Sequence, residues 1–248
     1  MITTITYLEL LAEAEVLAPY RTRHWDDFDE RFLYGDPELW TAVVYEIFPH
    51  AIAWRTDRVD DAEAPRNLDM LVDPKWKGRA GTTTHLEDTL NGLMTIFGEE
   101  QGLEKARALA ALDNRLYRSH AAMADGLAAG EVDMVWGLVA ARPIDLKTKG
   151  APVDWTMTDP LLAEGNTISA TTGTGNPYGA ALFIDVMLDA ATLEASDEWQ
   201  GGRIFGNTRG GYDLSLDDYP SLFIFPPVSP ERYGELNALA EQLFIRGQ

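Results

Sequence analysis

The chain has 248 residues, which is enough for one large domain or two small ones. Its 46% hydrophobic and 24% charged residues are typical of a globular protein and exclude wholesale disorder, collagen-like and coiled-coil classes. Forty acidic residues against 20 basic ones give a net charge of −20, so nucleic acids and anionic membranes repel the chain and we predict no nucleic-acid partner. The absence of cysteine excludes disulfides and thiolate chemistry.

The N-terminal segment Met1–Leu17 predicts a short amphipathic helix, because Leu8, Leu11 and Val16 are interspersed with glutamates. This segment contains no Lys or Arg and therefore lacks the basic start of a secretory signal. We expect no signal peptide within this chain. If the natural protein is exported, its signal lies outside the sequence given.

The rest of the chain alternates strand-like and helix-like segments. Ala42–Phe48 and Ala51–Arg55 predict strands separated by Pro49, Asn67 predicts the cap of a short helix, and Arg79–Thr83 predicts a further strand. Such alternation predicts an α/β architecture with a mostly parallel sheet. The remaining predicted elements are the helices Thr84–Phe97, Glu99–Leu112, Ser119–Ala129, Tyr178–Leu188 and Ser229–Phe244, and the strands Val132–Trp136, Val153–Met157 and Asn166–Thr172.

Four short segments follow one another in a defined order: Leu71–Gly78 (LVDPKWKG), Gly126–Asp133 (GLAAGEVD), Lys149–Trp155 (KGAPVDW) and Asn176–Leu188 (NPYGAALFIDVML). In order and spacing they resemble segments of the periplasmic solute-binding proteins of ABC importers, in the branch that includes ferric-ion, polyamine and phosphonate binders. Each match is weak alone, but four in order are specific. Together they cover the chain from about Tyr7 to Phe244.

The resemblance implies a fold class: α/β, of the type II periplasmic-binding-protein kind, with two lobes and mixed, mostly parallel sheets. It implies a discontinuous first lobe in residues 1–55 plus 173–248 and a second lobe in residues 78–165, with crossing or hinge segments at 56–77 and 166–172. The first lobe is expected to be incomplete, because the family's opening strands and helices have no counterpart here. Exposed apolar surface would then favour a homodimer.

Candidate ligand-binding residues follow from the way helix N-termini attract anions through free N–H groups and a partial positive charge. Thr82, Thr83 and Thr84 precede a predicted helix at His85, and their hydroxyl groups could hold an anion. The alternative is an ordinary threonine cap with surface neighbours. Ser119, which caps the predicted helix that ends at Ala129, is open to the same two interpretations.

Two further candidates come from their place in the predicted topology. Trp136 ends a strand, where α/β sheets present side chains to ligands, although filling the core is the commoner role of such a tryptophan. Asn176 lies in the returning crossing, where a hinge role and a ligand contact are equally consistent with the sequence.

Metal binding and catalysis have weaker support. The four histidines show neither HxxxH nor HExxH spacing, and the adjacent tyrosine pair used by ferric-ion members of the resembled family is absent, so we predict no protein metal ligands. A cofactor is not expected, and a bound metal ion or small anion stays open as cargo. There is no GxSxG motif, and we name no catalytic residues.

The resemblance therefore implies the solute-binding component of an ABC transporter, which captures a small anionic or metal-associated solute in a cleft between its lobes. Its partners would be that solute and the transporter's membrane subunits, and the full-length natural protein would be periplasmic or extracellular. Two alternatives remain: an esterase-like hydrolase on the same scaffold, and a truncated fragment that binds nothing. Turnover of esters, abolished by one serine substitution, would favour the hydrolase.

Overall fold

The computed structural model describes residues 1–36, 38–157, 160–200, 204–205 and 221–246, with only the backbone described at 197–200 and 204–205. Contacts divide the chain into two compact units. Unit 1 takes the described residues of Met1–Phe48, Glu164–Pro220 and Pro226–Pro230. Unit 2 takes those of Pro49–Ala163, Ser221–Phe225 and Glu231–Gln248. No helix in the described part of the chain is both long and apolar enough to cross a bilayer.

Unit 1 is organised around parts of two long strands, β4 and β9. The end of β9 pairs antiparallel with β1 and β2, and the start of β4 pairs antiparallel with β3 and β10. Its complete elements are β1 (Ile2–Thr4), α1 (Leu8–Glu13), β2 (Leu17–Ala18), β3 (Leu33–Asp36), α7 (Pro177–Met187), α8 (Ala190–Gln200) and β10 (Ile204–Phe205). Unit 1 also contains the part of β4 (Trp40–Arg55) that ends at Phe48 and the part of β9 (Leu162–Thr171) that begins at Glu164.

Unit 2 is a sheet flanked by helices. The strand order is β8–β4–β7–β5–β6, in which β5 runs parallel to β6 and β7, whereas β4 runs antiparallel to β7 and β8. Its elements are α2 (Leu68–Leu71), β5 (Ala80–Thr83), α3 (Glu87–Phe97), α4 (Glu99–Ala110), β6 (Arg115–Tyr117), α5 (His120–Ala129), β7 (Met134–Val139), α6 (Ala141–Thr148), β8 (Val153–Met157), β11 (Phe223–Ile224) and α9 (Pro230–Ala240, from Glu231).

The core of unit 2 lies between the sheet and α5. Met123 and Leu127, one helical turn apart, are fully buried against Val135 and Leu138 of β7. Full burial of such side chains contributes about 1.5–3 kcal/mol each. This packing fixes α5, and with it the residues that start the helix, against the sheet.

Several local predictions are confirmed. The side chain of Asn67 accepts a hydrogen bond from the Met70 N–H at 2.9 Å and caps α2. The side chain of Ser119 caps α5, which ends at Gly130 in the left-handed conformation with φ of +75°. The α3 and α4 helices are split at Gly98, where φ is +81°.

Other predictions were wrong in detail. The strand β4 continues through Pro49 instead of breaking there. The Pro49 carbonyl oxygen accepts a hydrogen bond from the Ala140 N–H at 2.8 Å, and this position in the strand tolerates the backbone N–H that proline lacks. The first helix is limited to Leu8–Glu13, because Ile2–Thr4 form a strand that pairs with β9. Sequence periodicity did not reveal β6, α6 or α8, since they are short or lack a clear apolar face.

The mixed α/β class is confirmed, but the expected predominance of parallel pairs is not found. Of the nine strand pairs whose direction the described residues give, β5 with β6, β5 with β7 and β9 with β11 are parallel, and the other six are antiparallel. The long strands β4 and β9 pass through both units and pair antiparallel with most of their neighbours. Local patterns do not encode the direction of a long-range pairing, so alternation alone could not separate the two cases.

Asp133, the residue before β7, joins two arginines of unit 2. Its carboxylate accepts hydrogen bonds from Arg79 at 2.6 Å and from Arg58 at 3.2 Å. Burial by itself would raise the pKa of Asp133, but these two hydrogen bonds and charges outweigh it and lower the pKa. The ionised carboxylate therefore stabilises the folded state above the ordinary aspartate pKa near 4.

We expect Asp133→Asn to lower the free energy of unfolding at pH 6 by about 1 kcal/mol, since both arginines are partly exposed. The difference from the wild type should narrow by pH 3, because the native carboxylate loses its contribution as pH falls through its lowered pKa. Urea unfolding at both pH values measures this. The exposed Asp113→Asn is the control, and a difference for Asp133→Asn that is unchanged at pH 3 would contradict the assignment.

Candidate functional site

The candidate site in unit 2 begins where β5 and β6 end. The register pairs Thr83 with Tyr117, and the Thr84 N–H then donates to the Tyr117 carbonyl oxygen at 2.9 Å. Because the two strands are parallel, the chain leaves both at the same edge of the sheet. Thr84 and the exposed Ser119 therefore lie at this common edge, the usual place for ligand-binding residues in α/β sheets.

Ser119 positions the helix that starts at this edge. Its hydroxyl oxygen accepts a hydrogen bond from the Ala122 N–H at 3.1 Å, and its own proton stays available for donation. Glycine at position 126 lets α5 approach Tyr117, since a Cβ there would lie 2.4 Å from the tyrosine hydroxyl oxygen. The positive end of the α5 dipole thus points to the site edge.

The three threonines have different environments. Thr82 and Thr83 are buried within β5, where their hydroxyl groups donate at 3.2 Å to the carbonyl oxygens of Trp136 and His85 respectively. Thr84 is exposed. The predicted helix start is corrected, since α3 begins at Glu87 rather than at Thr84. Pairing of β5 with β6 keeps the threonines extended and delays the helix.

Trp136 lies in the core of unit 2, with 3% of its surface exposed. Its indole N–H donates to Oδ1 of the buried Asn114 at 2.8 Å, and the Asn114 amide donates in turn to the Leu109 carbonyl oxygen at 2.7 Å. Its ring centroid is 6.3 Å from that of Phe244. These contacts hold β7 in position next to Thr82, so the backbone of Trp136 contributes to the site wall.

A β-bulge at Gly137 shapes the wall between these elements. The register of β4 against β7 shifts between Ala51 and Ile52, which pair with Leu138 and Trp136, so that Gly137 is left over. Its φ of +70° requires glycine. An ideal Cβ on Gly137 would lie 3.8 Å from the Thr82 Oγ1 and 4.0 Å from Nδ1 of His50 on β4.

Next to the bulge lies a pair of imidazole side chains, those of His50 and His120, that the sequence analysis did not predict as a pair. His50 is 7% exposed, and its ring centroid lies 5.8 Å from that of the half-buried His120, the first residue of α5. Phe225 contacts the His50 ring edge-on at 5.4 Å. The two histidines are 70 positions apart, so no motif spacing reveals them. The adjacency of His120 to Ser119 was the one usable signal.

A separate groove in unit 2 lies on the outer side of β6 and α5. It has a volume of about 470 Å³, and Arg115, Tyr117 and Glu131 are among its lining residues. Burial, together with the charge of Glu131, raises the pKa of Tyr117 to about 12. The tyrosine therefore stays protonated at neutral pH and donates to the Glu131 carboxylate at 3.2 Å.

Asn176, the remaining predicted residue, belongs to unit 1, whereas the other five belong to unit 2. Its side chain caps α7 by accepting a hydrogen bond from the Gly179 N–H at 2.9 Å. The residue is exposed. Its backbone N–H donates to the Thr174 hydroxyl oxygen at 3.3 Å, which orders the turn before the helix.

Comparison with known protein families identifies the chain. A family model described as bacterial extracellular solute-binding protein matches residues 1–143. The chain belongs to this family. The solute-binding assignment that the sequence resemblance implied is therefore confirmed. No curated protein matches the chain.

Solved structures of similar fold support the same architecture for this solute-binding protein. Iron-bound HitA from Pseudomonas aeruginosa superposes with a TM-score of 0.77 at 18% identity, over 98% of this chain and 82% of HitA. AfuA from Actinobacillus pleuropneumoniae, with fructose-6-phosphate bound, gives 0.74 at 18% identity, over 98% and 81%. Trichodesmium FutA with iron and citrate gives 0.71 at 16% identity, over 98% and 80%. At these identities the likeness shows the fold.

Proposed function

We propose that this protein is the solute-capturing component of an ABC importer, acting in the periplasm and delivering its solute to the transporter's membrane subunits. Family membership supports solute binding. The structural neighbours include periplasmic binding proteins and the substrate-binding protein of an ABC transporter from Agrobacterium tumefaciens. We also propose that units 1 and 2 are the two lobes of the binding fold.

We propose that the solute contacts unit 2 at the common edge of β5 and β6. The observation that carries this proposal is the hydrogen bond from the Thr84 N–H to Tyr117, because it brings the exposed Thr84 and Ser119 to one edge. Both hydroxyl groups can donate to an anionic oxygen, and the α5 dipole favours negative charge there. Within unit 2, the buried Thr82, Thr83 and Trp136 would support this edge, and Asn176 stays a proposed ligand residue of unit 1.

The proposed solute is small and carries anionic oxygen atoms. A protein with a net charge of −20 repels a free anion at long range, so the contact must come from local donors rather than from the overall field. The solutes named for three of the structural neighbours are iron, fructose-6-phosphate, and iron with citrate, while two further neighbours are named for the cationic polyamines spermidine and putrescine. Two of these carry anionic oxygen atoms, which is the chemistry that hydroxyl and backbone N–H donors recognise.

Native mass spectrometry of the purified protein, before and after mild unfolding, tests the proposal. We expect a retained small mass that is released on unfolding and identifies the solute. The combined variant Thr84→Val and Ser119→Ala should then weaken binding of that solute by about 100-fold or more, since each of the two lost hydrogen bonds to a charged group is worth about 1.5–3 kcal/mol. The same spectra report whether the protein is a homodimer.

The control is Asn67→Ala, which removes the cap of another helix of unit 2 and leaves the site edge unchanged. Ser119→Ala and Asn67→Ala should each cost about 0.5–2 kcal/mol of stability through cap loss. Only the variant at the site should weaken solute binding. Equal weakening by both would assign the effect to stability, and ester turnover abolished by Ser119→Ala would favour a hydrolase instead.

A further inference from the structure

Helix α7 of unit 1 carries an apolar face that is exposed. Tyr178, Leu182 and Val186 occupy every fourth position and are 88%, 63% and 47% exposed, and Phe183 on the same face is 48% exposed. Residues four apart lie on one side of a helix, so these side chains form one stripe, the α7 stripe. They are four of the eight large exposed hydrophobic residues in the described part of the chain, so the exposed apolar surface is concentrated on this helix.

The opposite side of α7 fixes the helix in this orientation. Ile184 and Leu188 are buried in unit 1. Asp185, the one charged residue of α7, accepts a hydrogen bond from the Thr22 hydroxyl at 2.6 Å and has only 16% of its side chain exposed. A rotation that buried the α7 stripe would expose Ile184 and break this hydrogen bond. The stripe therefore stays outward, and it contains no charge.

The α7 stripe is large enough to form an interface. Its four side chains expose on the order of 500 Å² of apolar surface, since a large aromatic side chain alone has about 150–250 Å² to bury. A single apolar patch of this size on a folded chain often marks an interaction site. Two such stripes facing each other would bury about 1,000 Å² in total, which is near the lower limit for a specific protein–protein interface.

Charge and shape favour a second copy of the chain as the partner. Each copy has a net charge of −20, so two copies repel each other and approach most easily at a face without charge. Side chains spaced by four form a ridge on a helix, and this ridge packs into the groove beside the same ridge of another helix. In a two-fold dimer identical patches meet, so the α7 stripe can serve as its own complement.

We propose that the α7 stripe joins two copies of this protein, helix against helix, in a reversible two-fold dimer. This inference goes beyond solute capture and does not depend on it. An interface of about 1,000 Å² belongs to the small, transient class, so we expect a dissociation constant on the order of micromolar. Salt should strengthen the dimer, because it screens the repulsion between two acidic copies.

Sedimentation velocity of the untagged full chain, at concentrations on either side of a micromolar dissociation constant, tests the proposal. We expect a species of twice the 27.5 kDa of one chain, and more of it at high salt. Leu182→Glu and Val186→Glu should each weaken the dimer by about tenfold or more, because each removes apolar contact and places two like charges at the interface. Leu39→Glu is the matched control, since Leu39 is 66% exposed between β3 and β4, and it should leave the dimer unchanged.

A cross-linking measurement keeps the test decisive where a glutamate variant folds poorly. The chain contains no cysteine, so Tyr178→Cys accepts one maleimide-linked benzophenone at the most exposed position of the stripe. Irradiation should yield a covalent dimer whose cross-link maps to residues 177–187 of the second copy, and the same label on Leu39→Cys should yield none. A monomer at every concentration and salt, an equal loss in Leu39→Glu, or a cross-link within one chain would overturn the inference. Binding of the monomer to phosphatidylcholine vesicles through the stripe would also overturn it and assign the face to lipid.

Discussion

Replacing Trp136 by alanine is expected to lower the free energy of unfolding by about 3–5 kcal/mol, the cost of removing a large buried aromatic side chain. The ring is 3% exposed on β7, between β4 and β5, and neighbours Phe244. The substitution also takes the indole donor away from the buried Asn114. Denaturant unfolding followed by circular dichroism measures the loss.

Trp136→Phe separates the two contributions. Phenylalanine retains most of the apolar volume but cannot donate to Asn114, so we expect a smaller loss of about 1–3 kcal/mol. A loss below about 1 kcal/mol for Trp136→Ala would contradict the core role, because large-to-small changes in close-packed cores consistently cost more. Solute affinity measured on the folded Trp136→Phe protein would then report any direct contact.

Gly102→Ala is expected to lower the free energy of unfolding by about 1–3 kcal/mol. An added Cβ on α4 would lie 2.6 Å from Cα and 2.7 Å from N of Met94 on α3. These are backbone atoms of a neighbouring helix, so neither side can yield without separating α3 from α4. The destabilisation caused by this clash exceeds the stabilisation of about 0.5–1 kcal/mol that replacing glycine by alanine usually gives within a helix.

Gly234→Ala is the matched control, since the same substitution within α9 meets no atom within 4 Å. At this position alanine's greater helix propensity is not offset by a clash, so we expect the free energy of unfolding to rise by about 0.5–1 kcal/mol. Opposite signs for the two variants in thermal unfolding would confirm the close α3–α4 contact. A stabilising Gly102→Ala would show that the helices can move apart at little cost.

The elements that sequence predicted best are those with local chemical signals. Ser119 and Gly130 bracket α5 because a capping hydroxyl and a left-handed glycine act within one helical turn. Gly98 divides α3 from α4 for the same local reason. Where the decisive partner lies far along the chain, as for β1 with β9, the local pattern predicted the wrong structure.

The candidate site shows the same difference between local signals, which the sequence contains, and long-range contacts, which it does not. Ser119 was predicted as a helix cap, and the structure confirms it. The burial of Thr82 depends on β5 pairing with β7, which no local pattern specifies. The contact between His50 and His120 and the bulge at Gly137 are consequences of register, so a single sequence contains no direct signal for either.

Because each unit is assembled from three separate stretches of chain, neither can be completed early in synthesis. The strand Ile2–Thr4 must wait for its partners at 166–168, and unit 2 needs residues that follow Pro230. Translation therefore delivers most of the polypeptide before either unit is complete, and contacts this distant in sequence also slow folding afterwards. The topology keeps the nascent chain unfolded for longer, a state in which a polypeptide can still be threaded through a narrow channel.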